Sequence, residues 1–174
     1  KSGQELNQLA GSSSFLHLYS KLAGAEGAYD FSELDLNRLT NTANPYFTGS
    51  LDGNFSEISG VSHVSDADSV GLLFSTTLGG EVRNLHFNDI SIHYDTEQFW
   101  AGIGIVTGKA YSGKFKHISV SNSLIEANKN FVGFLTGNES VGISVEDVAI
   151  RNSHIVGQKE NLTYAGLISS KTIT

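Results

Sequence analysis

The chain has 174 residues, enough for one domain with a sizeable core and not enough to require a second. Its formal net charge is -7 and its 11 Lys and Arg are dispersed, which disfavours nucleic-acid binding. The absence of Cys excludes disulfides and thiolate chemistry, and no apolar run approaches the ~18 residues of a membrane span, so we expect no membrane insertion.

The N-terminal part of the chain differs from the rest. We expect residues 1–33 to form a cap region, with a short helix over residues 3–10 that Ser2 caps. Residues 34–69 are predicted to form a divergent first coil of a repetitive fold. Within this coil, residues 47–54 have the sequence Phe-Thr-Gly-Ser-Leu-Asp-Gly-Asn, which predicts a strand entering a tight Asp-Gly-Asn turn.

Residues 70–174 carry three imperfect repeats and the start of a fourth. An apolar-Gly-apolar motif recurs around Gly71, Gly102, Gly133 and Gly166, and the successive glycines are 31, 31 and 33 residues apart. Glycine at such a position indicates a place where a side chain would collide with the neighbouring coil or with a bend.

A second block between the glycines gives four apolar columns when its three copies are aligned. Apolar and polar residues alternate within each copy, which indicates a strand with one buried face rather than a helix. Asp89, Asn122 and Asn152 form a polar column that suits a recurring bend, because Asn and Asp tolerate left-handed backbone. The columns are Val82/Phe115/Val145, Leu85/Ile118/Val148, Phe87/Val120/Ile150 and Ile92/Ile125/Ile155.

Such a repeat can bury its apolar residues only by stacking on its neighbours. Stacking in register would pair each strand with its equivalent in the next coil and turn each column into an internal ladder. The sequence therefore predicts one all-β domain, a right-handed parallel β-helix (β-solenoid) with coils of about 31 residues and a short N-terminal helical cap.

Four segments follow one another in a recognisable order: Phe47-Thr-Gly-Ser-Leu-Asp-Gly53, Ile58-Ser-Gly-Val61, Val70-Gly-Leu-Leu-Phe74 and Val82-Arg-Asn-Leu85. They resemble the GLUG-type repeats of bacterial surface and secreted proteins. Similar repeats occur in adhesins and in the N-terminal regions of immunoglobulin-A1-specific metalloproteases. The resemblance implies a β-helix and a secreted or cell-surface location, and it implies no reaction, because the motif is structural.

Three aromatic residues near the connection between two repeats form the candidate ligand-binding site. Tyr94, Phe99 and Trp100 lie in the segment HYDTEQFW. An exposed Trp with a neighbouring Tyr is common on surfaces that bind sugars or proteins. The alternative is that Trp100 packs against the side of the coils.

No catalytic residue and no cofactor are predicted. The six His include no pair at i, i+4 and no HExxH motif. Asp66 and Asp68 resemble a fragment of a calcium loop, but the Gly and the distal Glu of such loops are missing. These two residues are weak metal candidates, and we predict no metal site.

Charged residues also fall into columns. Arg83, Lys116 and Glu146 share one outward column, which a ladder of cross-coil ion pairs explains without catalysis. His117 shares another column with Asn84 and Asp147, for which a solvated polar face is favoured over a binding site.

The predicted function is that of a non-catalytic surface or secreted module, for adhesion, recognition or rigid spacing. Its expected partners are a host or surface protein or a glycan, and other domains of the same chain. The alternative is a carbohydrate-active β-helix enzyme, a polysaccharide lyase or hydrolase, which would need acids and bases converging on one groove. The chain has no Met and stops within a repeat, so we expect it to be part of a longer protein.

Overall fold

The computed structural model describes residues 29–30, 46–47, 50–65, 69–95, 102–128, 131–157 and 164–168. This part of the chain is all-β, with parallel strands in four stacked sheets, an arrangement consistent with a β-solenoid. Across these residues there is no helix of the length and hydropathy needed to cross a membrane. The predicted helical cap over residues 3–10 lies outside the described residues.

The strands of each sheet come from successive passages of the chain. We call one passage through all four sheets a coil. From Ser50 onwards, each coil passes through the sheets in the order I, III, IV, II. Sheet I contains β1 (Tyr29–Asp30), β3 (Ser50–Ser59), β7 (Glu81–Asn88), β11 (Lys114–Ser121) and β15 (Ser144–Arg151).

The other three sheets have four strands each. Sheet III contains β4 (Ser62–Ser65), β8 (Ser91–Tyr94), β12 (Leu124–Ala127) and β16 (His154–Gly157). Sheet IV contains β5 (Ser69–Gly71), β9 (Gly102–Gly104), β13 (Phe131–Gly133) and β17 (Tyr164–Gly166). Sheet II contains β2 (Tyr46–Phe47), β6 (Phe74–Leu78), β10 (Thr107–Tyr111) and β14 (Thr136–Val141).

The pairing register confirms the four apolar columns. In sheet I, Phe115 pairs with both Val82 and Val145, and the next two columns pair in the same way. In sheet III, Ile125 pairs with Ile92 and Ile155. The columns point inwards: the residues contributed by β7, β8, β11 and β12 are at most 4% exposed, and those of β15 and β16 are partly buried.

Left-handed backbone marks the bends of each coil. Asp89, Asn122 and Asn152 have φ of 56°, 51° and 48°, as their polar column predicted, and each follows a strand of sheet I. A second left-handed column lies inside the strands of sheet I. This column bends the long strands between two inward-facing residues. Its members are Phe55, Asn84, His117 and Asp147.

The Asp-Gly-Asn segment bulges β3 and does not end it, so the predicted turn is wrong. The register between β3 and β7 shifts between Asp52 and Ser56, where Phe55 takes φ of 58°. The strand then continues to Ser59. The extra residues are absorbed as a bulge because the flanking inward residues must stay in their ladders.

The glycine column contains Gly104 and not Gly102. Gly71 pairs with Gly104, and Gly133 pairs with Gly166. A Cβ on Gly104 would collide with the carbonyl oxygen of Thr107, and a Cβ on Gly71 would collide with that of Phe74. The predicted alignment of Gly102 is therefore wrong, because Gly102 pairs with Ser69 and the glycine of the column lies two residues further on.

Sheets II and IV lie backbone to backbone, and glycines on both sides make this approach possible. A Cβ on Gly137 would collide with Ile103 N, and one on Gly108 would lie 2.7 Å from Gly102 O and Val70 N. Each coil therefore folds tightly at the two-residue connection between these sheets, and no side-chain layer separates them there.

Coil length varies because one connection varies. The connections from sheet I to III, from IV to II and from II to I are two residues long in every coil, whereas those from sheet III to IV contain three, seven, three and six residues. Paired residues are therefore 33 apart at Gly71–Gly104 but 29 apart at Thr107–Thr136.

Candidate functional site on the outer face of sheet I

The outer face of sheet I carries a column of charges in register. Asp52, Arg83, Lys116 and Glu146 pair successively across β3, β7, β11 and β15. Arg83 Nε donates to Asp52 Oδ2 at 2.9 Å, and Lys116 Nζ lies 2.9 Å from Glu146 Oε2. Arg83 Nη1 also donates to Glu81 Oε1 at 3.0 Å. The column is a cross-coil ladder of ion pairs, as its sequence pattern predicted.

These pairs shift the pKa values of their members. The hydrogen bond and charge of Asp52 raise the pKa of Arg83, and those of Glu146 raise the pKa of Lys116. In return, the hydrogen bond and charge of Lys116 lower the pKa of Glu146. All three side chains are at least one third exposed, so water and salt screen the interactions.

A hydrogen-bonded chain runs along the left-handed column beside these charges. Asn84 Nδ2 donates to Asp52 Oδ1 at 2.9 Å, so the Asn84 carbonyl oxygen faces the other way. That oxygen lies 3.0 Å from His117 Nδ1, which must carry the proton in order to donate. The second ring nitrogen, Nε2, then points at Asp147 Oδ2, 3.3 Å away.

His117, Glu146 and Asp147 come together at the end of this chain. One ligand atom from each lies within 4.8 Å of those of the other two, and all three residues are exposed. The grouping depends on the left-handed backbone at Asp147, since consecutive residues of a regular strand point to opposite faces. An imidazole with two carboxylates can bind a cation or donate and accept hydrogen bonds to a polar ligand.

Other polar residues also pair across coils. His86 Nδ1 lies 2.6 Å from Ser119 Oγ, and His93 Nδ1 lies 3.3 Å from Glu126 Oε2 on sheet III. Asn88 Oδ1 accepts from Ser121 Oγ and Asn122 Nδ2, at 3.1 and 2.9 Å. These contacts bind neighbouring coils together from the outside.

Of the three predicted ligand-binding aromatics, Tyr94 lies in the core. Its side chain is 0% exposed at the end of β8, so it is not available on the surface. Phe99 and Trp100 lie outside the described residues, as do the weak metal candidates Asp66 and Asp68. Phe55, which the sequence pattern did not single out, is an exposed aromatic side chain on sheet I, 62% exposed, and its ring centroid lies 6.2 Å from that of His86. The Asp-Gly-Asn bulge before Phe55 was the available signal.

Part of the chain is similar to a curated protein, but no family is shown. No protein-family model matches the chain, and no solved structure matches it. The chain is 30% identical over 110 residues to Halomucin from Haloquadratum walsbyi (strain DSM 16790 / HBSQ001). The aligned stretch is 63% of this chain and 1% of Halomucin.

Proposed function

We propose that the chain is a non-catalytic module of a larger secreted or cell-surface protein, used for adhesion, for recognition or as a rigid spacer. In this proposal the stacked sheets form a right-handed parallel β-helix with coils of about 31 residues, closed at the N-terminus by a helical cap over residues 3–10. The observation that carries the proposal is that the same contacts run from coil to coil: apolar ladders in the core, and hydrogen bonds and ion pairs on the outer surface.

Continuity extends even to the connections. In the turn between sheets IV and II, Leu72 N donates to Ile105 O at 2.8 Å and Ile105 N donates to Phe134 O at 2.9 Å. Phe134 N donates in turn to Leu167 O at 3.2 Å. Neighbouring coils therefore cannot hinge at these turns without breaking hydrogen bonds. A stiff stack of this kind suits a spacer or a platform that holds a binding surface at a fixed distance.

The surface location rests on two likenesses. The motifs of residues 47–85 resemble GLUG-type repeats of bacterial surface and secreted proteins, and part of the chain is similar to Halomucin, whose name denotes a mucin. Because the aligned stretch is 1% of Halomucin, the proposed partners include other domains of the same chain.

The proposed recognition site is the longest connection between sheets III and IV, which holds Phe99 and Trp100. A glycan or a surface protein is the proposed ligand, because exposed aromatic rings bind both. Trp100 is the single Trp of the chain, so its fluorescence reports this connection without interference.

The experiment is a glycan array and a panel of immobilised surface proteins, probed with the 174-residue chain. We expect binding that Trp100→Ala abolishes and that quenching of Trp100 fluorescence reports. Phe55→Ala is the matched control, because it removes an exposed aromatic ring from sheet I, outside the proposed site, and should leave binding unchanged.

Each other result has a definite meaning. Unchanged binding by Trp100→Ala would refute the aromatic site, and binding to no ligand would leave the spacer as the function. Polysaccharides incubated with the chain in parallel should keep their length. Their depolymerisation would refute the non-catalytic proposal in favour of a carbohydrate-active enzyme.

A further inference from the structure

We propose that His117, Glu146 and Asp147 bind one divalent transition-metal ion of the zinc class on the outer face of sheet I. The site joins two neighbouring coils, because His117 is on β11 and the two carboxylates are on β15. One ligand atom from each residue lies within 4.8 Å of the others, a separation that small side-chain rotations close around one ion. A Zn²⁺ ion typically lies ~2.0–2.2 Å from each nitrogen or oxygen ligand.

The orientation of His117 points to a metal. Its Nδ1–H donates to Asn84 Oδ1 at 3.0 Å, and Asn84 is itself held by Asp52 at 2.9 Å. In the neutral ring the Nε2 lone pair therefore faces Asp147 Oδ2, 3.3 Å away, which is repulsive unless a cation lies between them. Histidine ligands of metals are commonly fixed in this way, with the other ring N–H donating to a polar group.

A proton on Nε2 is the competing occupant. It would produce an imidazolium paired with Asp147 alone. A metal ion would contact Glu146 as well as His117 and Asp147, whereas a proton on His117 involves no contact with Glu146. Lys116 occupies Glu146 Oε2 and leaves the other carboxylate oxygen to the metal. Two carboxylates then balance the charge of a divalent ion.

The ligand set favours zinc over calcium. Imidazole suits Zn²⁺ and similar ions, whereas Ca²⁺ takes six to eight oxygen ligands, more than this face offers. The exposure of all three residues, with side-chain exposures of 44% for His117 and 75% for Asp147, implies modest affinity. The inferred consequence is that the bound metal reversibly cross-links β15 to β11.

Titration calorimetry with ZnCl₂ and, separately, CaCl₂ tests the site on the metal-free 174-residue chain. We expect 1:1 zinc binding that His117→Asn and Asp147→Asn each weaken by about tenfold or more, with calcium weaker than zinc throughout. Asn is suitable at both positions because it tolerates left-handed backbone and already occupies this column as Asn84. Asn84→Gly keeps that backbone and all three ligands, and it should weaken zinc binding by about tenfold, because the hydrogen bond that orients His117 is lost.

Glu126→Gln is the matched control. It removes a second His–carboxylate pair, His93–Glu126, which is also 3.3 Å long but belongs to no group of three ligands among the described residues, and it should leave the zinc affinity unchanged. Thermal melts in metal-free buffer establish that each variant is folded. Zinc binding that His117→Asn does not weaken, or that calcium equals, would overturn the proposal in favour of a diffuse acidic surface. No zinc binding by the parent chain at about 1 mM would overturn it outright.

Discussion

Ile118 is representative of the inward-facing residues. It is 1% exposed and pairs with Leu85 below and Val148 above. Ile118→Asp should unfold the chain, because a buried carboxylate without a partner costs several kcal/mol, a large part of the stability of a domain. Circular dichroism during thermal melting measures the loss.

Ser119→Asp is the control for that substitution. Ser119 faces outwards next to His86, so the same carboxylate should change the free energy of unfolding by less than about 1 kcal/mol. A cooperative melt of Ile118→Asp near the parent temperature would contradict the assignment of Ile118 to the core.

Gly104 is required by the close approach of two backbones. Gly104→Ala should lower the free energy of unfolding by about 2 kcal/mol or more, because the added Cβ would collide with Thr107 O and lie 2.8 Å from Thr136 Cα. Gly113→Ala is the control: its Cβ would lie 3.3 Å from the Phe115 ring and 3.4 Å from Thr77 Oγ1, so it would press on side chains by a few tenths of an ångström and would collide with no backbone atom among its nearest neighbours. Urea denaturation of both variants measures the difference, and equal losses would contradict the explanation.

Asn122 tests the left-handed bends. Asn122→Ala should lower the free energy of unfolding by about 1 kcal/mol more than Asn122→Gly in urea denaturation, because φ near 51° strains alanine and does not strain glycine. Both variants lose the hydrogen bond to Asn88 equally, so their difference isolates the backbone. A stability order with Ala above Gly would refute this reason for Asn at the bend.

Single residues show which features sequence could predict. The apolar columns were predictable because each ladder needs an apolar residue in every coil. The bends at Asp89 and its equivalents were predictable because few residue types tolerate left-handed backbone. Gly102 was aligned in place of Gly104 because the connection before β9 is four residues longer than the one before β5. Tyr94 was predicted to face a ligand, but it is the last residue of β8 and its side chain faces inwards.

At the scale of a strand, β15 gains its outer charges from a local change of direction. Glu146 and Asp147 both face outwards because Asp147 has φ of 50°. The sequence pattern places Glu146 in one outward column and His117 with Asp147 in another, but it does not bring the two columns together, since consecutive residues of a regular strand point to opposite faces. The cluster therefore depends on backbone geometry that the alternation of residues does not reveal.

The Lys116–Glu146 pair between β11 and β15 makes a pH prediction. Lys116 lowers the pKa of Glu146 in the folded chain from the ordinary value of 4.5. The pair therefore stabilises the fold fully at pH values above 4.5, and this contribution is lost as the pH falls through the lowered pKa. Lys116→Met should raise the pKa of Glu146 towards 4.5, as NMR titration of its carboxyl carbon in chelator-containing buffer would show. An unchanged pKa would contradict the pairing.

On the scale of the whole molecule, the apolar core is shielded from solvent less well at β15 than at the preceding strands of sheet I. The inward-facing apolar residues of β3 and β7 are at most 4% exposed, whereas Val145, Val148 and Ile150 of β15 are only partly buried. Amide hydrogens of β15 should exchange faster than those of β11 in the 174-residue chain, because local opening exposes less apolar surface there. Mass spectrometry of hydrogen exchange measures this, and equal protection of the two strands would contradict it.

The overall arrangement was the part best predicted from sequence, because stacked repeats reuse the same pattern and every copy adds to the signal. Parallel strands in stacked sheets follow directly from the four columns. The contact between sheets II and IV was not predicted. It depends on Gly108 and Gly137, which recur in two coils, whereas Ser75 occupies their place in the coil before.

The variable connection between sheets III and IV gives the molecule a use as a scaffold. Every other connection between described strands from β3 to β17 is two residues long, yet this one changes from three to seven residues while the strands on either side keep their partners. Foreign peptides grafted at residues 66–68 or 95–101 should therefore be displayed in rows along one edge, with a spacing set by the strand separation of ~4.8 Å. Binding segments could thus be exchanged one coil at a time, while the stack beneath them stays the same.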